Sequence, residues 1–251
     1  MKRPGFLLWT SPLLLIGMSF VHPVGNARVV PAGAHAPLLS GVNADARQVL
    51  VTKCADCHSN ETRWPVYARV APGSWLIERD VVEGRRKMNL SNWDGLSADD
   101  KSILVGKIIH EARGGEMPPT QYRLLHWGAE LKPQDVATLV KLGGENAAPA
   151  ATGEGDKARG ANVFAKRCVS CHGDGGGREG PPLAGGVFGK KAGTVPSFAY
   201  SNGLKQSGIV WNEATLEKWL ADPDLMVPDN KMDFHVPSAQ ERLDLVAYLK
   251  R

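Results

Sequence analysis

The chain has 251 residues, 43% of them hydrophobic, with 28 Gly, 17 Pro and four Cys. That length has room for two small domains. Formal charge is +4, but residues 28–148 carry 15 basic against 14 acidic groups and 149–251 carry 13 against 12. Neither half therefore has the basic excess that nucleic-acid binding requires, and none is expected.

Met1-Lys2-Arg3 is a basic start, and an apolar run follows from Phe6 to Val21. Gly25 and Ala27 put small residues where a signal peptidase reads, so 1–27 is expected to be a signal peptide, or an uncleaved N-terminal membrane anchor. The run is short against the ~20 residues of a spanning helix. Residues 28–42, with Pro31, Gly33, Pro37 and Gly41, read as a tether.

The next segment, 43–143, is predicted to be a small helical domain. Asn43 can cap a helix through Ala44–Lys53 that delivers Cys54, with Val49 and Leu50 in its buried stripe. Cys54-Ala-Asp-Cys57-His58 is a C-x-x-C-H run. Two thiols at this spacing can form thioethers to the two vinyl groups of one porphyrin, and the adjacent His can rise under the iron as proximal ligand. A second helix is predicted over 73–87, with Trp75, Leu76, Arg79 and Val82 at helical spacing. Ser97 to Asp100 resembles a capping box for a helix to about Ala112, which Gly114-Gly115 ends. Pro133 to Leu142 is the last predicted helix of this part. Met117 stands before Pro118-Pro119, on a stiff strap that can present a thioether to iron. His110, His126 or an open distal position are the alternatives, and Met88 reads as core. Trp64, Trp75 and Trp93 are expected around the pocket.

Residues 144–155 have the small, polar, Pro- and Gly-marked composition of a linker. From 156 to 251 a second helical domain is predicted. It opens with a helix around 156–167 that has Ala158, Val163 and Phe164 toward the core. Gly160, mid-helix, costs ~1 kcal/mol unless close packing needs it. A crossing C-terminal helix, Arg242 to Leu249, would supply that need. Between them lies the second C-x-x-C-H, Cys168-Val-Ser-Cys171-His172. The two motifs use all four cysteines. Two disulfides, or zinc, are the competing readings; zinc would need further ligands at matching spacing.

Two resemblances sharpen this. C-x-x-C-H-S-N-E-T-x-W-P-x-Y, A-P-x-S-W-L-I-x-R-D-V-x-E-G-R and G-E-M-P-P-x-x-Y look like the haem-binding domain family of bacterial exported proteins. That likeness implies one c-type haem in a small helical domain. Gly180-Pro181-Pro182-Leu183, Gly189-Lys-Lys-Ala-Gly193, Phe198-Ala-Tyr200-Ser201, Trp211, Thr215-Leu216, Trp219-Leu220, Pro223 and Lys231-Met232 resemble a class I cytochrome c of the mitochondrial or c2 kind. The resemblance implies His172 as proximal and Met232 as distal ligand, the Pro181 carbonyl as acceptor for the proximal His N–H, and Tyr200 and Trp211 as donors to a propionate. Met226 is a weaker ligand choice. The usual Pro-Gly-Thr-Lys-Met strap reads Pro228-Asp229-Asn230-Lys231-Met232 here.

The expectation is thus an all-α chain of two small cytochrome c-type domains with two covalently attached haems. Its iron ligands would be His58 and Met117, then His172 and Met232, with Cys54, Cys57, Cys168 and Cys171 holding the porphyrins. Exported to the periplasm, it would carry single electrons from a donor dehydrogenase to an acceptor oxidase or reductase. Lys190, Lys191, Lys205 and Lys231 could steer an acidic partner. A dihaem peroxidase or thiosulfate-oxidising enzyme with one exchangeable haem, or a haem-based sensor module, are the rival readings.

Overall fold

A computed structural model describes residues 14–30, 39–145, 151–173, 180–183 and 186–250. Part of the expected leader (1–13), most of the tether (31–38), part of the linker (146–150) and residues 174–179 after the second C-x-x-C-H run lie outside the described residues. Among the described residues all regular structure is helical, apart from an isolated bridge between Lys191 and Val210. The all-α class holds. No described helix is long and apolar enough to cross a membrane.

The chain divides into two compact units, 1–96 with 121–130, and 97–120 with 131–251. In the first, α1 (Ala44–Val49) starts where Asn43 accepts a hydrogen bond from the Ala46 N–H at 2.9 Å. It runs into a π-helical turn, Leu50–Cys54, and then α2, Ala55–His58. Leu50 and Val49 are buried. After a 3-10 turn at Val66–Arg69 comes α3, Gly73–Lys87. Its buried face is not the expected one: Ser74, Glu78, Val81 and Gly84 point inward, and Leu76 is 42% exposed. The reason is electrostatic. Glu78 is fully buried, with His22 Nδ1 at 2.8 Å and Arg28 Nε at 3.5 Å from its carboxylate oxygens, and α3 rotates to meet them. Residues 19–28 line this side of α3 further: Trp75 Nε1 donates to the Val21 carbonyl (2.8 Å) and Arg85 Nη1 to the buried Ala27 carbonyl (2.7 Å). A 3-10 turn at Leu90–Gly95 buries Trp93, and α5, Thr120–Leu125, belongs almost wholly to this unit.

The second unit contains α4 (Ala98–Gly114) and α6 (Pro133–Glu145), which pack on each other. It continues with α7 (Lys157–Arg167), α8 (Val169–His172), α9 (Asn202–Gln206), α10 (Glu213–Ala221), α11 (Pro223–Met226) and α12 (Ala239–Leu249). Ser97 caps α4 and Gly115, at φ 69°, ends it. Helices α7 and α12 cross so closely that a Cβ on Gly160 would lie 2.0 Å from the Asp244 carbonyl oxygen. The close packing that this mid-helix glycine demanded is therefore present. Phe164 is buried in the core and Val163 packs against it, but Ala158 is exposed, because the contact with α12 falls on Gly160 instead. Asp244 ties the crossing together, accepting from Arg159 Nε and Nη2 and from the Asp156 N–H, each at 2.8 Å.

Candidate haem-attachment sites

In the first unit, Cys54 closes the π-helical turn and Cys57 and His58 lie on α2. The helical turn brings the two thiols and the imidazole into one short stretch. His58 Nδ1 donates to the Gly84 carbonyl at 2.9 Å and lies 3.3 Å from that of Met88, at the C-terminal turn of α3. A proton committed there fixes the tautomer and leaves Nε2 as the lone-pair nitrogen, the arrangement that metal-bound histidines use. Helix α3 reaches this close because residue 84 is glycine: a Cβ would lie 2.6 Å from the Cys57 carbonyl oxygen.

Behind the motif stands a lock that sequence reasoning missed. Asp56, between the two cysteines, accepts from Arg63 Nε (2.9 Å) and Nη2 (3.0 Å) and from the Tyr122 hydroxyl (2.9 Å). Burial alone would raise the Asp56 carboxyl, but the Arg63 and Tyr122 hydrogen bonds and the Arg63 charge together hold it below its ordinary value. Tyr122 stacks on His126 at 3.8 Å between centroids, and His126 Nε2 pairs with the Tyr67 hydroxyl at 3.0 Å. The signal was available, since Arg63, Tyr67 and Tyr122 all fall in runs that carry the first resemblance.

Trp64 and Trp93 of this unit also have definite partners. Arg28 lies over the Trp64 ring at 4.2 Å, and Trp93 Nε1 donates to the Ser40 carbonyl at 3.1 Å. Met88 caps the end of α3. Met117 is half-buried, just beyond Gly115, and it belongs by contacts to the second unit. His110, on α4, is engaged at Nδ1 by Asp224 at 2.7 Å.

At the second motif Cys168 joins α7 to α8, which carries Cys171 and His172. His172 Nδ1 donates to the Pro181 carbonyl at 2.8 Å, repeating the arrangement at His58. Met232 follows the strap 228–231 and packs with Tyr200, Trp211, Met226 and Ile209 against a buried group of Ala192, Leu204, Trp219 and Val227. Trp219 Nε1 points at the Met232 sulfur at 3.1 Å, and its ring meets that of Trp211 edge-on at 5.4 Å. In the sequence Trp219 is one residue of a run that resembles cytochrome c; in the fold its indole N–H meets the expected ligand atom. Tyr200 packs edge-on to Phe198 at 4.9 Å.

The donor sets suit covalent haem. The four cysteines are thiols rather than disulfides, and each is half-buried. Burial pushes Cys54 up to about 12 and Cys57 up to about 11, with the neighbouring Cys57 and Asp56 charges adding in turn. Cys168 rises to about 11, again chiefly by burial. Burial likewise lowers His58 and His172, though their backbone hydrogen bonds oppose it. Neutral imidazoles with Nδ1 engaged are ready ligands, and the Cys54, Cys57 and Cys168 thiols are not the low-pKa kind that marks a reactive nucleophile.

Comparison with known proteins finds two families along the chain. The model of the family described as "Haem-binding domain" matches residues 13–145, and that described as "Cytochrome c" matches 157–251. Cytochrome c of Chlamydomonas reinhardtii is 43% identical over 100 residues, covering 39% of this chain and 89% of the relative. Cytochrome c2 of Rhodomicrobium vannielii is 42% identical over 103 residues, covering 38% and 78%. Among solved structures, cytochrome cH from Methylobacterium extorquens shares 43% identity, covering 38% of this chain and 98% of that one, at a TM-score of 0.36. The chain belongs to the haem-binding domain family through its first part and to the cytochrome c family through its second.

Proposed function

We propose that this protein is an exported dihaem cytochrome c that carries single electrons between a redox enzyme and a membrane or periplasmic acceptor. The observation that carries the reading is the repeated histidine geometry. In each C-x-x-C-H run the imidazole Nδ1 is held by a backbone carbonyl, Gly84 for His58 and Pro181 for His172, so each ring is oriented with Nε2 free to bind iron. Cys54 and Cys57 would hold one porphyrin and Cys168 and Cys171 the other.

Bound haem would supply a one-electron iron couple, whose potential rises with His/Met relative to bis-His ligation. The chain's own residues orient the proposed ligands. Trp219 and Trp211 wall Met232 with apolar surface while directing one N–H at its sulfur. Met117 is proposed as the distal ligand of the first haem and Met232 as that of the second. With His58 and Met117 on one iron and His172 and Met232 on the other, neither would keep a position for a substrate, and the haems would supply outer-sphere electron transfer to protein partners. Lys190, Lys191, Lys205 and Lys231 are all exposed and suited to an acidic partner surface. The cytochrome c2 relative and the N-terminal apolar run together support a periplasmic location.

The test is a haem count with ligand replacement. Purified protein is expected to hold two haems per chain by pyridine haemochrome assay, and to resist carbon monoxide at neutral pH when reduced. Met117→Ala is expected to let carbon monoxide bind one haem of the two. Ready binding by the unmodified protein would overturn the carrier reading, and an unchanged Met117→Ala spectrum would remove Met117 as ligand.

A further inference from the structure

The strap that ends at Met232 departs from the usual Pro-Gly-Thr-Lys-Met at two positions, and the structure gives the second departure a task. Asn230 is 6% exposed. Its Oδ1 accepts from the Met232 backbone N–H at 2.7 Å, while its Nδ2 donates to the Val227 carbonyl at 2.9 Å and to Asp224 Oδ1 at 2.7 Å. The three partners leave the amide one orientation. Turned over, it would set its NH2 against the Met232 N–H and its oxygen against a carboxylate and a carbonyl. A threonine could not do this, because one hydroxyl cannot donate to both Asp224 and Val227 while accepting from residue 232.

Asp224 is itself held from outside the strap. It sits in the short helix α11, opened by Asp222, whose Oδ1 accepts from the Asp224 N–H at 3.0 Å. Asp224 Oδ1 also accepts from His110 Nδ1 at 2.7 Å, and its carboxylate is only 9% exposed. His110 comes from α4, within the part of the chain matched by the haem-binding domain family. A continuous chain of hydrogen bonds thus runs His110–Asp224–Asn230–Met232.

We propose that Asn230 is the positioning residue for the Met232 ligand, and that the His110–Asp224 pair fixes Asn230 in turn, so that α4 governs how firmly the ligand strap is held. The inference rests on the reading of Met232 as an axial ligand. Asn230 works by occupying the Met232 N–H and tying residue 232 to Val227 and α11, which resists the strap swinging away. If Asn230 loses Asp224, one of its two Nδ2 hydrogens is left without an acceptor in a buried site, and the strap loses its tie to α11.

The relay is also sensitive to pH. The groups acting on His110 are Asp224 from α11, Asp233 next to the strap and Glu111 from α4 itself, and Asp222, the N-cap of α11, Arg113 and Lys107 form the neighbouring ion pairs. Arg113 Nη1 lies 3.6 Å from Asp222 and 3.8 Å from Asp224, and Lys107 Nζ lies 3.7 Å from Asp233. His235 packs on α4 at Gly106. The Asp224 hydrogen bond raises the His110 pKa, burial opposes it, and the charges of Asp224, Glu111 and Asp233 raise it further. Below that raised value the pair is a charge-assisted bond; above it the bond weakens to a neutral one. The strap is therefore held more firmly in acid than in mild alkali.

The experiment uses the full-length oxidised haem protein and follows the Fe–Met absorption at about 695 nm, the band expected of His/Met ligation, as pH is raised. Asn230→Ala is expected to lower the pH midpoint at which the Met232 share of the band is lost. A roughly tenfold change in the equilibrium constant, about one pH unit, corresponds to losing one such bond. His110→Gln keeps a neutral donor and is expected to remove the dependence of band stability on pH between about 6 and 8. Should Asn230→Ala not accumulate as haem protein, His110→Gln tests the same relay from its far end. A lowered melting temperature with an unmoved band midpoint in Asn230→Ala, or an unaltered pH profile in His110→Gln, would overturn the proposal. A Met232→Ala protein that keeps the whole band would instead overturn the ligand reading beneath it.

Discussion

Replacing Gly160 by alanine sets two physical effects against each other, and their sum tests the α7–α12 crossing directly. Alanine is a better helix former than glycine by about 1 kcal/mol in a helix interior, so on local propensity alone the variant gains stability. The crossing says the reverse. The added Cβ would lie 2.0 Å from the Asp244 carbonyl oxygen, 2.5 Å from its carbon and 2.8 Å from Tyr248 Cβ. Two of these three atoms are backbone, so no rotamer change relieves the overlap, and the helices must separate. Overpacking of this kind costs about 1–3 kcal/mol, and more where the surroundings cannot yield. Separation also stretches the bonds from Asp156 and Arg159 to Asp244, all of which depend on the same spacing. The net expectation is a loss of about 2 kcal/mol, which lowers Tm by about 10 °C for a cooperative unit of this size. Thermal unfolding followed by Soret circular dichroism measures it, with exposed Asn162→Ala as a control expected within about 0.5 kcal/mol of the parent. An unchanged or higher Tm for Gly160→Ala would show that the helices do not cross as described.

Two further outcomes follow from the same geometry. Asp244 has its carboxyl held below the ordinary value, first by the Arg159 hydrogen bond, with burial opposing and the Asp156 and Gln240 bonds assisting. A depressed folded pKa contributes stability that is present above the unfolded value and lost as pH falls through the folded one. Acid unfolding below about pH 4 should therefore be steeper in the parent than in Asp244→Asn; identical slopes would count against the pairing. Tyr122→Phe removes the hydroxyl bond to Asp56 behind the first haem motif, and an expected loss of about 1–2 kcal/mol should appear in denaturant unfolding. In the parent, burial and then the Asp56 charge push the Tyr122 phenol well above its ordinary value. An ultraviolet pH titration should show that late-ionising tyrosine disappear in the variant.

Much of the architecture was legible in the sequence because the signals were local. The Asn43 cap, the helix over 73–87 and the proline start at 133 depend on contacts within a turn or two, and each helix stands where those residues put it. Gly160 was legible too, since a glycine in mid-helix announces a close neighbour. The face of α3 was not. Its apolar residues suggested Trp75, Leu76 and Val82, but the buried side carries Glu78, whose partners His22 and Arg28 lie some fifty residues upstream. No window along the helix contains that information.

The same division holds at the two sites. By itself the sequence carries the motifs on which the haem reading rests: two C-x-x-C-H runs, with the histidines that follow the paired thiols. These are covalent spacings, and a spacing is a property of the chain alone. Only the tertiary structure decided which carbonyl orients His58, which tryptophan touches the Met232 sulfur, and that Asn230 joins Met232 to Asp224 and His110. Those are hydrogen bonds and packing contacts between residues up to 114 positions apart. They form where folding removes water from polar groups and each buried donor must then find an acceptor.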